Sequence, residues 1–121
     1  KICLEIPKKD LKELKMKLKD LYSLCKEIPE GMTPWECKGK VNSLCTSIYR
    51  ESGLAKIPAV RQYVADLIRG GAKFLIFAHH LDVIDGIESC VAAEKTRYIK
   101  ITGETSASER HRQVKVFQAD N

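Results

Sequence analysis

Phe74-Leu75-Ile76-Phe77-Ala78 is an unbroken run of five apolar residues, closed by Lys73 on one side and His79-His80 on the other. Neither a half-exposed strand, which alternates, nor an amphipathic helix, which repeats near 3.6, gives such a run. It is typical of a strand buried on both faces within a parallel sheet. A chain that carries one needs helical layers on either side of it, which makes α/β the expected fold class. The flanks agree. Val60, Val64, Leu67 and Ile68 form a helical stripe opened by Pro58 and stopped by Gly70-Gly71. Leu81, Ile84, Ile87 and Val91 form the next. Tyr98-Ile99-Lys100-Ile101 reads as a second strand. Ser106-Ala107-Ser108-Glu109 is a capping-box pattern that leads a last helix with Val114 and Phe117 inward. The order helix, strand, helix, strand, helix predicts a right-handed parallel βαβ unit.

The first half has another texture. Ile2, Leu4 and Ile6 alternate as in a short strand ended by Pro7. Leu11, Leu14, Leu18, Leu21, Cys25 and Ile28 then step by three and four, a heptad-like helical stripe with seven lysines between Lys8 and Lys26. Thr33-Pro34-Trp35-Glu36 is a helix start, with Thr as N-cap, Pro at the first helical position and Glu to close a capping box. Trp35 is expected to be a packing anchor. The helix that follows should bury Cys37, Val41, Leu44, Cys45 and Ile48 and stop at Gly53. These textures divide the chain into a helical segment, 1–53, and an α/β segment, 54–121.

Leu, Ile, Val and Phe number 32 of 121 residues, enough for a folded core, and no apolar run approaches the roughly 18 residues of a membrane span. The five cysteines, Cys3, Cys25, Cys37, Cys45 and Cys90, contain no C-x-x-C pair and read as buried reduced thiols. Residues 1–57 carry 12 basic and 8 acidic groups, a net +4, and the remainder 9 and 8, a net +1. Within 95–115, Lys95, Arg97, Lys100, Arg110, Arg112 and Lys115 outnumber Glu104 and Glu109 by four. Two core strands, or three with 2–6, make too small a sheet to stand alone. With Lys1 in place of an initiating Met, this predicts a segment of a longer chain whose unpaired strand edges favour self-association.

Sites for chemistry are few. Gly39-Lys40 lacks the P-loop frame, and neither G-x-G-x-x-G nor G-x-S-x-G occurs. Asp82 and Asp85 are expected to solvate a helix face rather than flank a metal. His79 and His80 fall at the C-terminal end of the expected strand, where open α/β sheets bind ligands. The loop Thr102-Gly103-Glu104-Thr105-Ser106 delivers a helix N-terminus, whose free amides and dipole favour a phosphate. Thr105 and Ser106 hydroxyls and Arg110 can add to it, and Gly103 permits close approach.

Lys73 to His80, Arg97 to Arg110 and Phe117-Gln118 resemble the start of the second RecA-like lobe of superfamily-two helicases, its motif IV and the Gly-x-x-Ser-x-x-x-Arg segment of motif IVa. The Phe-Ala-His-His ending, with Ala55-Lys56-Ile57-Pro58-Ala59-Val60, is similar to the SWI/SNF-related annealing helicases that remodel stalled forks. The resemblance is specific over 54–118; residues 1–53 look like the helical linker and protrusion between lobes. It implies a partial RecA-like lobe, a parent that couples ATP and Mg to movement on double-stranded or branched DNA, and a nuclear setting. His79, His80, Gly103, Thr105, Ser106 and Arg110 become DNA-backbone residues on this basis. Thr102 stands where the family more often has Asp, and Ala107 where it has Gln. The chain holds no cofactor motif of its own, and without phosphate cradle, magnesium ligands and arginine finger it should not hydrolyse ATP alone. No membrane partner is expected. Two other readings stay open: a non-catalytic helical interaction module carried on an α/β scaffold, and a small α/β enzyme using His79 and His80 as acid–base groups.

Overall fold

A computed structural model describes residues 2–120. Its elements are four helices in the order α1 (Lys8–Lys26), α2 (Pro34–Arg69), α3 (Leu81–Ala93) and α4 (Ala107–Ala119). The chain divides into two compact units, residues 1–59 and 60–121, with the division inside α2.

No strand forms among the described residues, so the α/β class, the RecA-like sheet and the parallel βαβ unit are not what the chain adopts. Residues 72–78, 96–102 and 2–7 are irregular. A strand exists only where a neighbouring backbone completes its hydrogen bonds, and two short segments alone make a marginal sheet in water. The consequence is visible at the apolar run: Leu75 is 68% exposed and Phe77 89%. Side chains anchor these segments instead. Lys73 bonds the Asp120 carbonyl oxygen and lies 4.6 Å from the Phe117 ring centroid, while Arg97 pairs with Asp120 at 2.9 Å.

In the unit of residues 1–59, α1 forms where the lysine-flanked stripe predicts it. It caps poorly, since Pro7 offers no side chain to the first turn. Leu14 alone of its stripe is buried; Leu11, Leu18, Cys25 and Ile28 are exposed. α2 begins at the expected capping box: Glu36 N–H donates to Thr33 Oγ1 at 3.2 Å, and Thr33 N–H donates to Glu36 Oε2 at 2.8 Å. These bonds, the Thr33 amide's above all, hold the Glu36 carboxyl below its usual pKa. Trp35, placed in the first turn by this cap, is 82% exposed and anchors no core. Cys37, buried one turn on, points its thiol at the Leu24 carbonyl at 3.6 Å, closing α2 onto the end of α1. Lys17 pairs with Glu51 and donates to Ser47 Oγ at 3.1 Å.

The expected stop at Gly53 and restart at Pro58 do not occur; both lie within α2. A proline there deletes the bond to the Leu54 carbonyl and crowds it. The helix continues because burial outweighs local propensity: Ala55, Val64 and Ala65 are 6%, 3% and 5% exposed. α2 ends where the sequence predicts. Gly71 takes φ +71°, Ala72 N–H donates to Leu67 O and Gly71 N–H to Ile68 O, each at 3.0 Å, a Schellman ending.

In the unit of residues 60–121, the core is Val64, Ala65, Val83, Cys90 and Val91. α3 matches its expected stripe in extent but not in rotation. Val91 is buried as the stripe predicts, but so are Val83 and Cys90 outside it, while Leu81 is 53% exposed. Likewise Val114 of α4 is 40% exposed. Only Cys37 and Cys90 are buried thiols; Cys3 and Cys25 are exposed. No helix among the described residues is long and apolar enough to cross a membrane.

Candidate nucleic-acid interface

The loop before α4 is held by its own groups. Thr102 N–H donates to Thr105 Oγ1 at 3.0 Å, Thr105 N–H to the Thr102 carbonyl at 3.2 Å and Glu104 N–H to Thr102 Oγ1 at 3.3 Å. Thr102, where the resemblance leads one to expect Asp, therefore supplies both a carbonyl and a hydroxyl to the turn. Three loop amides are spent internally, which narrows the backbone contribution to an anion site. Side chains and the next amides remain. Ser106 is the N-cap of α4 and its Oγ accepts from Glu109 N–H at 3.3 Å. Arg110 Nη2 reaches back to the carbonyls of Thr105 and Thr102 at 3.3 and 3.5 Å. Both contacts are at the long limit for hydrogen bonds, so the exposed guanidinium is aimed at the loop without being locked there. Around Gly103, a Cβ would meet nothing within 4 Å, so the loop tip faces open space.

Only half of the expected capping box at Ser106 closes. The Glu109 carboxylate turns along α4 instead, accepting from Arg112 Nε at 2.8 Å and Nη2 at 2.5 Å, and from Gln113 Nε2 at 2.8 Å. The Arg112 bond first, and Gln113 second, bring the Glu109 pKa down to about 2. A carboxyl depressed in the folded state stabilises above its unfolded pKa and loses that contribution as pH falls through the folded value. The first turn of α4 should therefore weaken between about pH 4.5 and pH 2. Arg112→Ala should return the Glu109 titration midpoint, followed by carboxyl NMR shifts, to the ordinary glutamate range.

His79 and His80 stand before α3, their ring centroids 5.0 Å apart and edge to face at 89°. His80 is the N-cap residue of α3, but its side chain makes no cap bond; Val83 N–H is taken by Asp82 Oδ1 at 3.0 Å. With no sheet, no common edge gathers the histidines and the Gly103–Arg110 loop. Among the described residues no hydrogen bond or ion pair joins the two groups. Nor do those residues contain a His, Cys, Asp and Glu cluster able to hold a metal.

The basic stretch 95–115 is largely neutralised. Lys100 Nζ lies 2.6 Å from both Asp85 Oδ1 and Glu88 Oε2, and Tyr98 donates to Glu88 Oε1 at 2.9 Å. The two carboxylates, Asp85 first, raise the Lys100 pKa, and Lys100 together with Tyr98 lowers that of Glu88. With Arg97 on Asp120, three carboxylates from outside the stretch offset three of the local excess of four; Arg112 pairs with Glu109, which that excess already counts. The Lys100 cluster spans 12–15 residues of sequence, and nothing in the local pattern signals it.

Curated relatives cover nearly all of the chain. It is 32% identical over 121 residues, 99% of its length, to the DNA annealing helicase and endonuclease ZRANB3 of Bos taurus, and 40% identical over 81 residues, 66% of its length, to that of Homo sapiens. It is 36% identical over 90 residues, 74% of its length, to the SWI/SNF-related matrix-associated actin-dependent regulator of chromatin subfamily A-like protein 1 of Bos taurus. These matches span 11%, 8% and 10% of the respective relatives, so the chain corresponds to about a tenth of their length. No family model matches. No solved structure matches. By these similarities the chain's homologues are the SWI/SNF-related DNA annealing helicases, the subgroup that its sequence resembles.

Proposed function

We propose that the chain is part of an ATP-dependent DNA annealing helicase or translocase, nuclear and acting at branched or double-stranded DNA. In this reading residues 54–121 begin the second motor lobe and 1–53 are the helical linker before it. The observation that carries the proposal is the 32% identity to an annealing helicase across 99% of the chain. ATP and Mg act in the longer protein; this chain has no P-loop to hold them. Its own contribution is DNA-backbone contact from Gly103, Thr105, Ser106 and Arg110, with His79 and His80 as a separate contact. The exposed guanidinium of Arg110 and the open space at Gly103 support such a role. Phosphate contacts alone give salt-sensitive, sequence-independent affinity. Arg110→Ala should weaken binding to all duplexes alike and reduce the salt slope by about one unit, with Arg110→Lys restoring the slope. If both affinity and slope are unchanged in Arg110→Ala, the loop is not a DNA contact.

A second reading, a protein-interaction module, draws on one observation. Leu11, Leu18 and Ile28 of the α1 stripe are 38%, 49% and 49% exposed. The isolated chain should also self-associate through the uncovered Leu75–Phe77 run, and sedimentation velocity showing monomer at tens of micromolar would count against that.

A further inference from the structure

The lysines of α1 are not scattered. At 100° per residue, Lys8, Lys12, Lys15, Lys19 and Lys26 fall within a stripe about 60° wide, and it runs about 27 Å along the helix. The carboxylates of the same helix, Asp10, Glu13 and Asp20, lie on its other half. All five lysines are exposed. Lys8, Lys12, Lys15 and Lys19 stand with Leu11 and Met16 on one open surface of α1, and none of the four makes an ion pair or a side-chain hydrogen bond among the described residues. Lys17, off the stripe, behaves differently: it is fixed to Glu51 and Ser47 and belongs to the fold.

Like charges three and four residues apart destabilise a helix. Lys8 with Lys12, Lys12 with Lys15 and Lys15 with Lys19 are all such pairs, and no carboxylate on the stripe offsets them. Lys26 lies 4.7 Å from the Tyr22 ring centroid, but from Lys8 to Lys19 the arrangement costs helix stability and returns no ion pair or side-chain hydrogen bond among the described residues. A linear polyanion laid along the stripe relieves the repulsion and matches its shape. From Lys8 to Lys19 successive lysines are about 4.5–6 Å apart along the axis, and Lys26 is about 10.5 Å further on, so each flexible stem can reach a separate phosphate.

We propose that the Lys8–Lys26 stripe of α1 is a sequence-independent contact for the backbone of double-stranded DNA. It is separate from the loop before α4, and it rests on the reading that the longer protein acts on DNA. A membrane surface is the competing occupant, since Leu11, Met16 and Leu18 of α1 are exposed, and the vesicle measurement below separates the two.

The test is a salt titration of the full 121-residue chain against a random-sequence duplex of about 20 base pairs. Each phosphate contact contributes about 0.9 to the slope of log K against log salt. Removing three charges with Lys12→Gln, Lys15→Gln and Lys19→Gln together should lower the slope by about 2.7 units. That is about 40-fold less affinity lost between 50 and 200 mM salt. The matching Lys→Arg triple should retain the wild-type slope. Lys9→Gln, Lys38→Gln and Lys40→Gln together, which remove the same charge elsewhere, should move it by less than one unit. The stripe Gln triple should keep its helical circular dichroism and melt no lower than wild type, because Gln and Lys have similar helix propensity and the repulsion is gone. Overturning results are an unchanged slope in the stripe triple, an equal drop in the control triple, or stripe-dependent binding to phosphatidylserine vesicles with no change on DNA. Arg110→Ala, run in parallel, separates the two surfaces. If it alone changes the slope, the α1 stripe is refuted and the loop stands; if the stripe triple alone does, the reverse holds.

Discussion

Pro58→Ala should stabilise the protein by roughly 2–3 kcal/mol, because a proline inside a helix is about 3 kcal/mol less favourable than alanine. Pro58 is an exposed residue within α2, 24 residues after its start at Pro34, so it is far from the first turn where proline is harmless. Alanine restores an N–H able to bond the Leu54 carbonyl and removes the ring that crowds it. The outcome depends on whether α2 is continuous. Were the helix to restart at Pro58, the ring would occupy a first-turn position at no cost. Alanine would then be neutral or slightly destabilising, through the freer unfolded chain. Urea denaturation of the two proteins, compared at equal slope, decides it. An unchanged or lowered midpoint would rule out an unbroken α2.

Val64→Ala should cost about 2 kcal/mol. Val64 is 3% exposed in the core of the unit of residues 60–121, alongside Ala65, Val83, Cys90 and Val91. Removing two carbons forfeits about 0.8 kcal/mol each in transfer, and a cavity adds to that where neighbours cannot collapse. The core is small, so the loss is a large share of the unit's stability. A melting temperature about 8–16 °C lower is expected for a unit of this size. A fall of less than about 3 °C would mean that Val64 is not packed as described. Tyr63→Ala, one residue away but 43% exposed, is the control and should cost much less.

Pattern and caps were legible in the sequence wherever the cause was local. The lysine-flanked stripe gave α1, Thr33 and Glu36 gave the start of α2, Gly70-Gly71 gave its end, and Ser106 gave the cap of α4. Each depends on residues within one or two turns of one another, so periodicity and side-chain chemistry suffice. Kinship with the annealing helicases was legible too, because it rests on the order of residues and not on their pairing. Rotation was not: Val83 and Cys90, rather than Leu81, are buried in α3, and a stripe several residues wide fixes a helix's face only to within a turn. The continuity of α2 through Gly53 and Pro58 was hidden because local breakers and distant burial of Ala55, Val64 and Ala65 oppose each other. The largest difference is the missing sheet. Phe74–Ala78 and Tyr98–Ile101 have the composition of buried strands, but a strand also needs a partner backbone, and composition cannot supply one. Pairings across many residues, Lys100 with Asp85 and Glu88, Arg97 with Asp120, and Lys73 with Phe117 and Asp120, fix those segments instead. The sequence by itself determined the helix starts, the stop at Gly70-Gly71 and the kinship with the annealing helicases; only the tertiary structure decided that α2 is continuous, which faces are buried and which basic groups remain free, because these depend on contacts between residues that are distant along the chain.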